Sequence, residues 1–398
     1  HTVVIKDSWT VYSHPRDNDG QQNDDDDNGG TAQRDTVFRW PEDGFVPVED
    51  ARNEVRLLKK IKAGLSGMEE LDKTYPEIED GGWVYQPLDL ETEKTESVID
   101  STREIIGGLD EETRKSVPFC LHMRYAMTPI GERLRKVESV KELLVVLYDA
   151  MHCHFEIHKQ CNILHRDLSD NNILVVREPG KTVRGMLIDF DCAIDKSVER
   201  SAVRPERTGT QPFMSIANLE GMDIERTVLD DWESLLYIVC WLGTYGINEH
   251  NPGVDRSADI PIKKWRGANS SGIGREKRNS LASEDIFREQ ILEQFYKEQE
   301  DSEVLQDLAE DIHQILFFNE GLKDAQNRYH GTTKTIERTK ALFRQTYNPL
   351  EREKMRKLAL ANKFNPFEER IAHADTISEE LLGRLTLFAS WARDELIA

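Results

Sequence analysis

The sequence predicts an α+β chain, on three observations. A β-branched run at the start, Thr2, Val3, Val4 and Ile5, has the composition of a buried strand. Apolar residues then recur at helical spacing over residues 49–61, 139–158 and 230–242. Between the second and third of these lie two short apolar-rich segments, 162–176 and 184–194, each interrupted by polar residues. At 398 residues the chain is long enough for one large domain or two ordinary ones.

The strand run ends at Lys6. Residues 17–30 hold almost no apolar side chain and cannot bury enough surface to offset their ordering entropy. A disordered acidic loop is therefore expected over about 13–36. Metal binding is not expected there, because nothing fixes those carboxylates in space. In the helix at 49–61, Val55, Leu58 and Ile61 share a face, and Gly64 and Gly67 mark its end. Residues 83–90 and 119–125 read as strands. Ser139 is an N-cap candidate with Glu142 three residues on, as in a capping box, and Val140, Leu143, Leu144, Leu147 and Met151 form the apolar face behind it. After Ser280 the chain is helix-like and highly charged, with turn signals at His330-Gly331 and Asn348-Pro349. No internal repeat is visible.

The formal net charge of −22 argues against nonspecific nucleic-acid binding and against anionic membranes. The five cysteines, Cys120, Cys153, Cys161, Cys192 and Cys240, are scattered and form no CxxC pair. Neither a disulfide framework nor a zinc site is expected, and a reducing, intracellular location follows, cytoplasmic or nuclear. The longest strongly apolar stretch, near residues 235–242, is too short to span a bilayer. No signal peptide is visible, and a chain beginning at His1 reads as a piece of a longer protein.

The chemistry is concentrated in the middle third. Residues 163–176 read ILHRDLSDNNILVV, and 187–194 read LIDFDCAI. The first holds His165, Arg166 and Asp167, with Asn172 five places after the aspartate; the second holds Asp189, Phe190 and Asp191. This pattern resembles the H-R-D-x-x-x-x-N and D-F-x pair of the protein kinases. Phosphoryl transfer depends on positioning and charge neutralisation. Magnesium needs hard oxygen ligands, which the Asp189 carboxylate and the Asn172 amide oxygen supply. A further carboxylate, Asp167, suits a general base. The plainer readings are that His165 braces the loop, Asn171 is a turn residue and Phe190 belongs to the core.

The likeness extends outward. Thr208, Gly209, Thr210, then Phe213, Met214 and Ser215 resemble the end of a kinase activation segment, with Thr210 matching the threonine that supports the catalytic aspartate. Asp231, opening an apolar helix, resembles the residue that braces the catalytic loop. Lys6, after Val3, Val4 and Ile5, resembles the strand lysine that holds the α- and β-phosphates. Glu54 is the first candidate for its ion-pair partner and Glu49 the second. Together these residues are similar to the fungal-type protein kinase family over about residues 2–280.

That resemblance implies a two-lobed protein kinase-like fold with a small, incomplete sheet lobe and a mainly helical larger lobe. Residues 1–128 would form the first lobe and 129–280 the second. Residues 281–398 would be a helical region that ends the larger lobe and extends it. It implies ATP and Mg2+ as cofactors and a protein serine or threonine hydroxyl as acceptor. Asp167 is then the base, Asn172 and Asp189 the metal ligands, and Lys6 and Glu54 the phosphate-positioning pair, with an adenine hinge near residues 123–127. Ser197, Ser201 and Thr208 are conceivable phosphorylation sites that would pair with Arg166.

Departures from the family pattern bear on activity. Ser169 stands where a lysine usually touches the γ-phosphate, and Asp191 replaces a glycine, with less freedom of backbone angle. Ala217 occupies the position of a glutamate whose salt bridge would be absent. Only five residues precede Lys6, too few for the two strands and glycine-rich loop that cover ATP. The alternatives are a pseudokinase scaffold and a small-molecule phosphotransferase of the aminoglycoside or choline type. Arg166 counts against the second, since those enzymes usually carry glycine there.

Overall fold

The computed structural model describes residues 3–11, 54–83, 120–198, 209–222, 225–248, 253, 259–267, 269–318 and 372–397. The expected acidic loop, the strand expected at 83–90 apart from its first residue, Glu49, Ser201, Thr208 and the turn signals at 330–331 and 348–349 lie outside the described residues.

Strand β1 (Val4–Val11) runs well past the β-branched stretch that signals it, so Lys6 sits within the strand rather than at its end, and Val3, Val4 and Ile5 are exposed rather than buried as that stretch suggests. Helix α1 (Glu54–Gly64) buries Leu57, Leu58 and Ile61. Strand β2 (Glu77–Trp83) shares only Trp83 with the strand expected at 83–90, and the sequence reading has none over 77–82. Its sequence, EIEDGGW, carries acidic residues and two glycines that disfavour a strand. Among the described residues it pairs on one side only, to β3 (Cys120–Thr128). The three strands form one antiparallel sheet in the order β1-β3-β2.

Strand β4 (Glu132–Arg133) precedes helix α2 (Val140–Cys161). Ser139 caps α2 by accepting the N–H of Glu142 at 3.2 Å. The reciprocal bond of a capping box is displaced by one residue: Glu142 Oε2 accepts the N–H of Glu138 at 2.9 Å. The whole expected apolar face is buried, and so are Val145, Val146, Ala150, Cys153 and Ile157, because the helix is covered on more than one side.

Strands β5 (Ile163–Leu164), β6 (Ile173–Val176), β7 (Arg184–Leu187) and β8 (Ile194–Asp195) bring the two chemistry-bearing segments together. β5 pairs with β8, while β6 lies between β4 and β7. The loop 165–172 therefore leaves β5 and enters β6, and the loop 188–193 leaves β7 and enters β8. Each loop is clamped at both ends against the other. β7 crosses α2 so closely that a Cβ on Gly185 would lie 1.9 Å from the Val146 carbonyl oxygen, which only glycine avoids.

Helices α3 (Ile216–Glu220), α4 (Val228–Tyr245), α5 (Ser270–Ser280), α6 (Glu284–Gln290), α7 (Ser302–Phe318) and α8 (Ala374–Ile397) complete the described residues. The architecture is α+β, with three small antiparallel sheets among the described residues. Helix α4 starts two residues before the segment its apolar pattern marks, because Thr227 and Asp230 form a capping box at its entrance. It is buried on nearly all sides.

Helix α8, from the charged tail, packs against α2, α4 and α7. It buries Ile377, Leu381, Leu385, Ala389 and Ala392. The buried indole N–H of Trp232 on α4 donates to Ser378 Oγ at 2.7 Å. Arg393 donates to Asp149 Oδ1 at 2.7 Å and lies over the Tyr148 ring. Ser378→Ala is expected to destabilise the chain by about 1–3 kcal/mol in chemical denaturation, because it leaves the Trp232 donor buried without an acceptor. An unchanged midpoint would show α8 to be a loose appendage. Among the described residues no helix is long and apolar enough to cross a membrane.

Candidate active site

The sheet aligns the first part of the site. Lys6 on β1 stands opposite Tyr125 on β3, and Tyr125 stands opposite Gly81 on β2. A Cβ on Gly81 would lie 2.4 Å from that of Tyr125 and 2.9 Å from its Cα, so the glycine lets β2 approach β3 closely there. Glu54, in the first turn of α1, is only 1% exposed. A buried carboxylate needs partners on each oxygen. Oε2 takes the Tyr125 hydroxyl and the Lys6 ammonium, the latter at 2.6 Å, and Oε1 takes the N–H of Phe190 at 2.9 Å. The structure thus pairs Lys6 with Glu54, and adds Tyr125, which the sequence reading placed in a strand and near the expected hinge but not beside Glu54. Nothing in the local sequence marks Tyr125; its role appears only once the strand register is known.

Lys6 Nζ also lies 2.8 Å from Asp189 Oδ1 and 3.0 Å from Asp191 Oδ2. Burial opposes the ammonium's charge, but Glu54, Asp189 and Asp191 outweigh it and hold its pKa above the ordinary lysine value. Burial also acts against ionisation of Asp189, and Lys6 reverses this, so that carboxyl titrates below its usual range. Asp191 is raised by burial and by neighbouring Glu54, with Lys6 compensating only in part.

The loop 165–172 is fixed through its backbone. His165 is buried, with Nε2 2.9 Å from the Ile188 carbonyl and its ring edge-on to Phe190 at 4.9 Å. It braces one loop against the other, as the plainer reading has it, and Phe190 is fully buried. Arg166 adopts a left-handed backbone, φ 70°, and its N–H points at both oxygens of Asp231, at 3.1 and 3.2 Å. Asp231 is itself held by His154 Nε2 at 2.9 Å, deep in the core. Burial pushes Asp231 up, and the His154 bond and nearby cationic groups bring it down to about 2. His154 escaped the sequence reading because a histidine within an apolar helix face carries no signal of its own.

Asp167 Oδ1 accepts both the N–H and the hydroxyl of Thr210, at 2.7 and 2.8 Å. Burial raises its pKa against those two bonds. The Asn172 amide nitrogen donates to the Asp167 carbonyl at 2.8 Å, which leaves the amide oxygen as its remaining acceptor. Asn171 is exposed in the turn. The donor chemistry fits magnesium: the Asn172 amide oxygen and the Asp189 carboxylate are hard oxygens. A second acidic grouping, Glu54, Asp189 and Asp191, has one oxygen from each within 4.8 Å of the others.

Three expectations need correction or completion. Residues 123–127 lie inside β3 and pair with β1 or β2, so their backbone is occupied, and the chain leaves the sheet after Thr128. Asp191 does not suffer from replacing a glycine: it lies in a 3-10 turn, and the positive φ falls on Asp189, at 66°. A salt bridge does anchor the segment around Ala217, from one turn further on, where Arg278 binds Glu220 through both oxygens at 3.1 and 2.5 Å. The buried Lys277 adds a bond to the Met214 carbonyl at 2.7 Å, and Glu233 takes the N–H of Ile216 at 2.6 Å. Ser197 Oγ, unphosphorylated here, meets Lys60 Nζ at 3.0 Å. Ser169 is buried, and among the described residues its hydroxyl has no hydrogen-bond partner.

The site therefore joins an ion-paired lysine, two loops carrying aspartates and an asparagine, and a threonine-held carboxylate. That is the set of parts from which protein kinases are built. The sequence matches the fungal protein kinase family over residues 1–243, and the chain belongs to that family. No curated protein matches it.

Proposed function

We propose that this chain is an ATP- and magnesium-dependent protein kinase that transfers the γ-phosphoryl group to a serine or threonine hydroxyl of a protein. In this reading the sheet and α1 form a smaller lobe within residues 1–128. The larger lobe is built from residues 129–280, and 281–398 complete and extend it. The observation that carries the reading is the ion-paired centre where Lys6 meets Glu54 and Asp189, although Lys6 and Asp189 are 183 positions apart.

Lys6 orients the phosphates and Glu54 holds Lys6 in place. Asp167, with one oxygen fixed by Thr210, keeps its other oxygen to accept the hydroxyl proton. Asn172 and Asp189 would hold magnesium, which when bound supplies charge neutralisation on the phosphate oxygens. Arg166 and Asp231 set the loop's geometry. The net charge of −22 disfavours nucleic-acid and anionic membrane partners. ATP and a protein substrate, met in the cytoplasm or nucleus, remain.

Incubation with labelled ATP, Mg2+ and a generic protein substrate is expected to give phosphoserine or phosphothreonine. Transfer should require the metal and fall at least about a hundredfold in Asp189→Asn. Transfer at the same rate in the variant would identify a contaminating kinase. Absence of both transfer and any ATP-dependent rise in Tm would move the chain to the pseudokinase class.

A further inference from the structure

A lysine ammonium has three hydrogens to donate. In this site three carboxylates surround it: Glu54 at 2.6 Å, Asp189 at 2.8 Å and Asp191 at 3.0 Å. Asp189 takes one of its hydrogen bonds, and all three near neighbours are carboxylates, so a phosphate oxygen has to compete with them for the ammonium. Two of the three partners already have assigned work. Glu54 is buried and tied down by Tyr125 and by the Phe190 N–H, so it stays with Lys6. Asp189 is the metal ligand of the proposed reaction. Asp191 has no such task, its backbone does not require a special residue, and its side chain is 45% exposed, open to an approaching ligand.

We propose that Asp191 is a counter-ion that nucleotide phosphates must displace from Lys6, and that it thereby sets the affinity of the site for nucleotide. The inference rests on the kinase reading of this site. One ammonium faces three carboxylates, so the pocket carries a surplus of negative charge where the phosphates arrive. Entry of a polyphosphate exchanges the Asp191–Lys6 contact for a phosphate–Lys6 contact and leaves Asp191 to solvent. Asp191 is a positioning residue in this scheme, acting through Lys6 and not on the reacting atoms.

The test is direct binding of ADP, with and without Mg2+, by calorimetry on the full chain and on Asp191→Asn, Asp191→Glu and Lys6→Met. The melting curve of each variant serves as the fold control. Asp191→Asn is expected to bind ADP about 5- to 10-fold more tightly, with the larger gain in the absence of Mg2+. Asp191→Glu should restore the weaker binding, and in a Lys6→Met background the Asp191→Asn gain should vanish. Equal affinity in the wild type and Asp191→Asn would overturn the proposal alone. So would weaker binding of Mg-ADP in Asp191→Asn with Mg-free ADP unaffected, since that pattern belongs to a metal ligand. Absence of ADP binding in every variant would overturn the kinase reading and this proposal with it.

Discussion

Asp231→Ala is expected to cost about 3–5 kcal/mol of stability, the largest loss among single substitutions at this site. The reason lies in what the carboxylate holds. It is 2% exposed, and its oxygens receive the Arg166 N–H and His154 Nε2. Removal strands a backbone donor and an imidazole in the core, and it frees the left-handed backbone at Arg166 that turns Asp167 into the site. Asp231→Asn keeps an acceptor for the Arg166 N–H and should lose roughly half as much.

Acid sharpens the test. The Asp231 carboxyl titrates near 2 in the folded chain, below the ordinary value of 3.8. Its contribution is therefore fully present above about pH 4 and is lost as pH falls through about 2. Denaturant midpoints of the wild type should fall across that window, and those of Asp231→Ala should fall less steeply. Parallel curves would mean that the carboxylate gains nothing from its burial with His154.

The site residues that lie close in sequence were legible because one loop and its neighbour carry them at fixed offsets. Asp167 and Asn172 are five apart, and Asp189 and Phe190 open a segment that β7 and β8 must place beside them. Lys6 and Glu54 were legible through a strand and a helix of ordinary pattern. Tyr125 was not, since its contact with Glu54 depends on a register across β1, β3 and β2 that no local pattern encodes. Strand β2 escaped for a related reason: Gly81 is required by the close approach of the Tyr125 Cβ and backbone, so packing overrides propensity. Lys277 and Glu233 escaped because buried charges read as surface ones when their partners are backbone groups 63 and 17 positions away. The helical nature of residues 374–397 was visible in the charged pattern, but not their docking through Ser378 onto Trp232.

Asp167 and Asp231 lie in and behind the same loop, and their pKa values move in opposite directions. Burial dominates at Asp167, where the two bonds from Thr210 do not offset it, so the carboxylate is more basic than usual. Its charged form costs the fold stability at neutral pH, the reverse of Asp231. Asp167→Asn keeps the acceptor that Thr210 needs and discards the charge. The variant should therefore be at least as stable as the wild type at pH 7. It should nonetheless lose about 10²–10⁴-fold in kcat, with KM for ATP changed less than about twofold. The acid limb of the wild-type rate profile should lie above the range of a water-exposed aspartate and disappear in the variant's residual rate. A variant that loses stability and activity together would reassign Asp167 to the scaffold alongside Asp231. The split is expected because a base must hold a proton that a brace never sees.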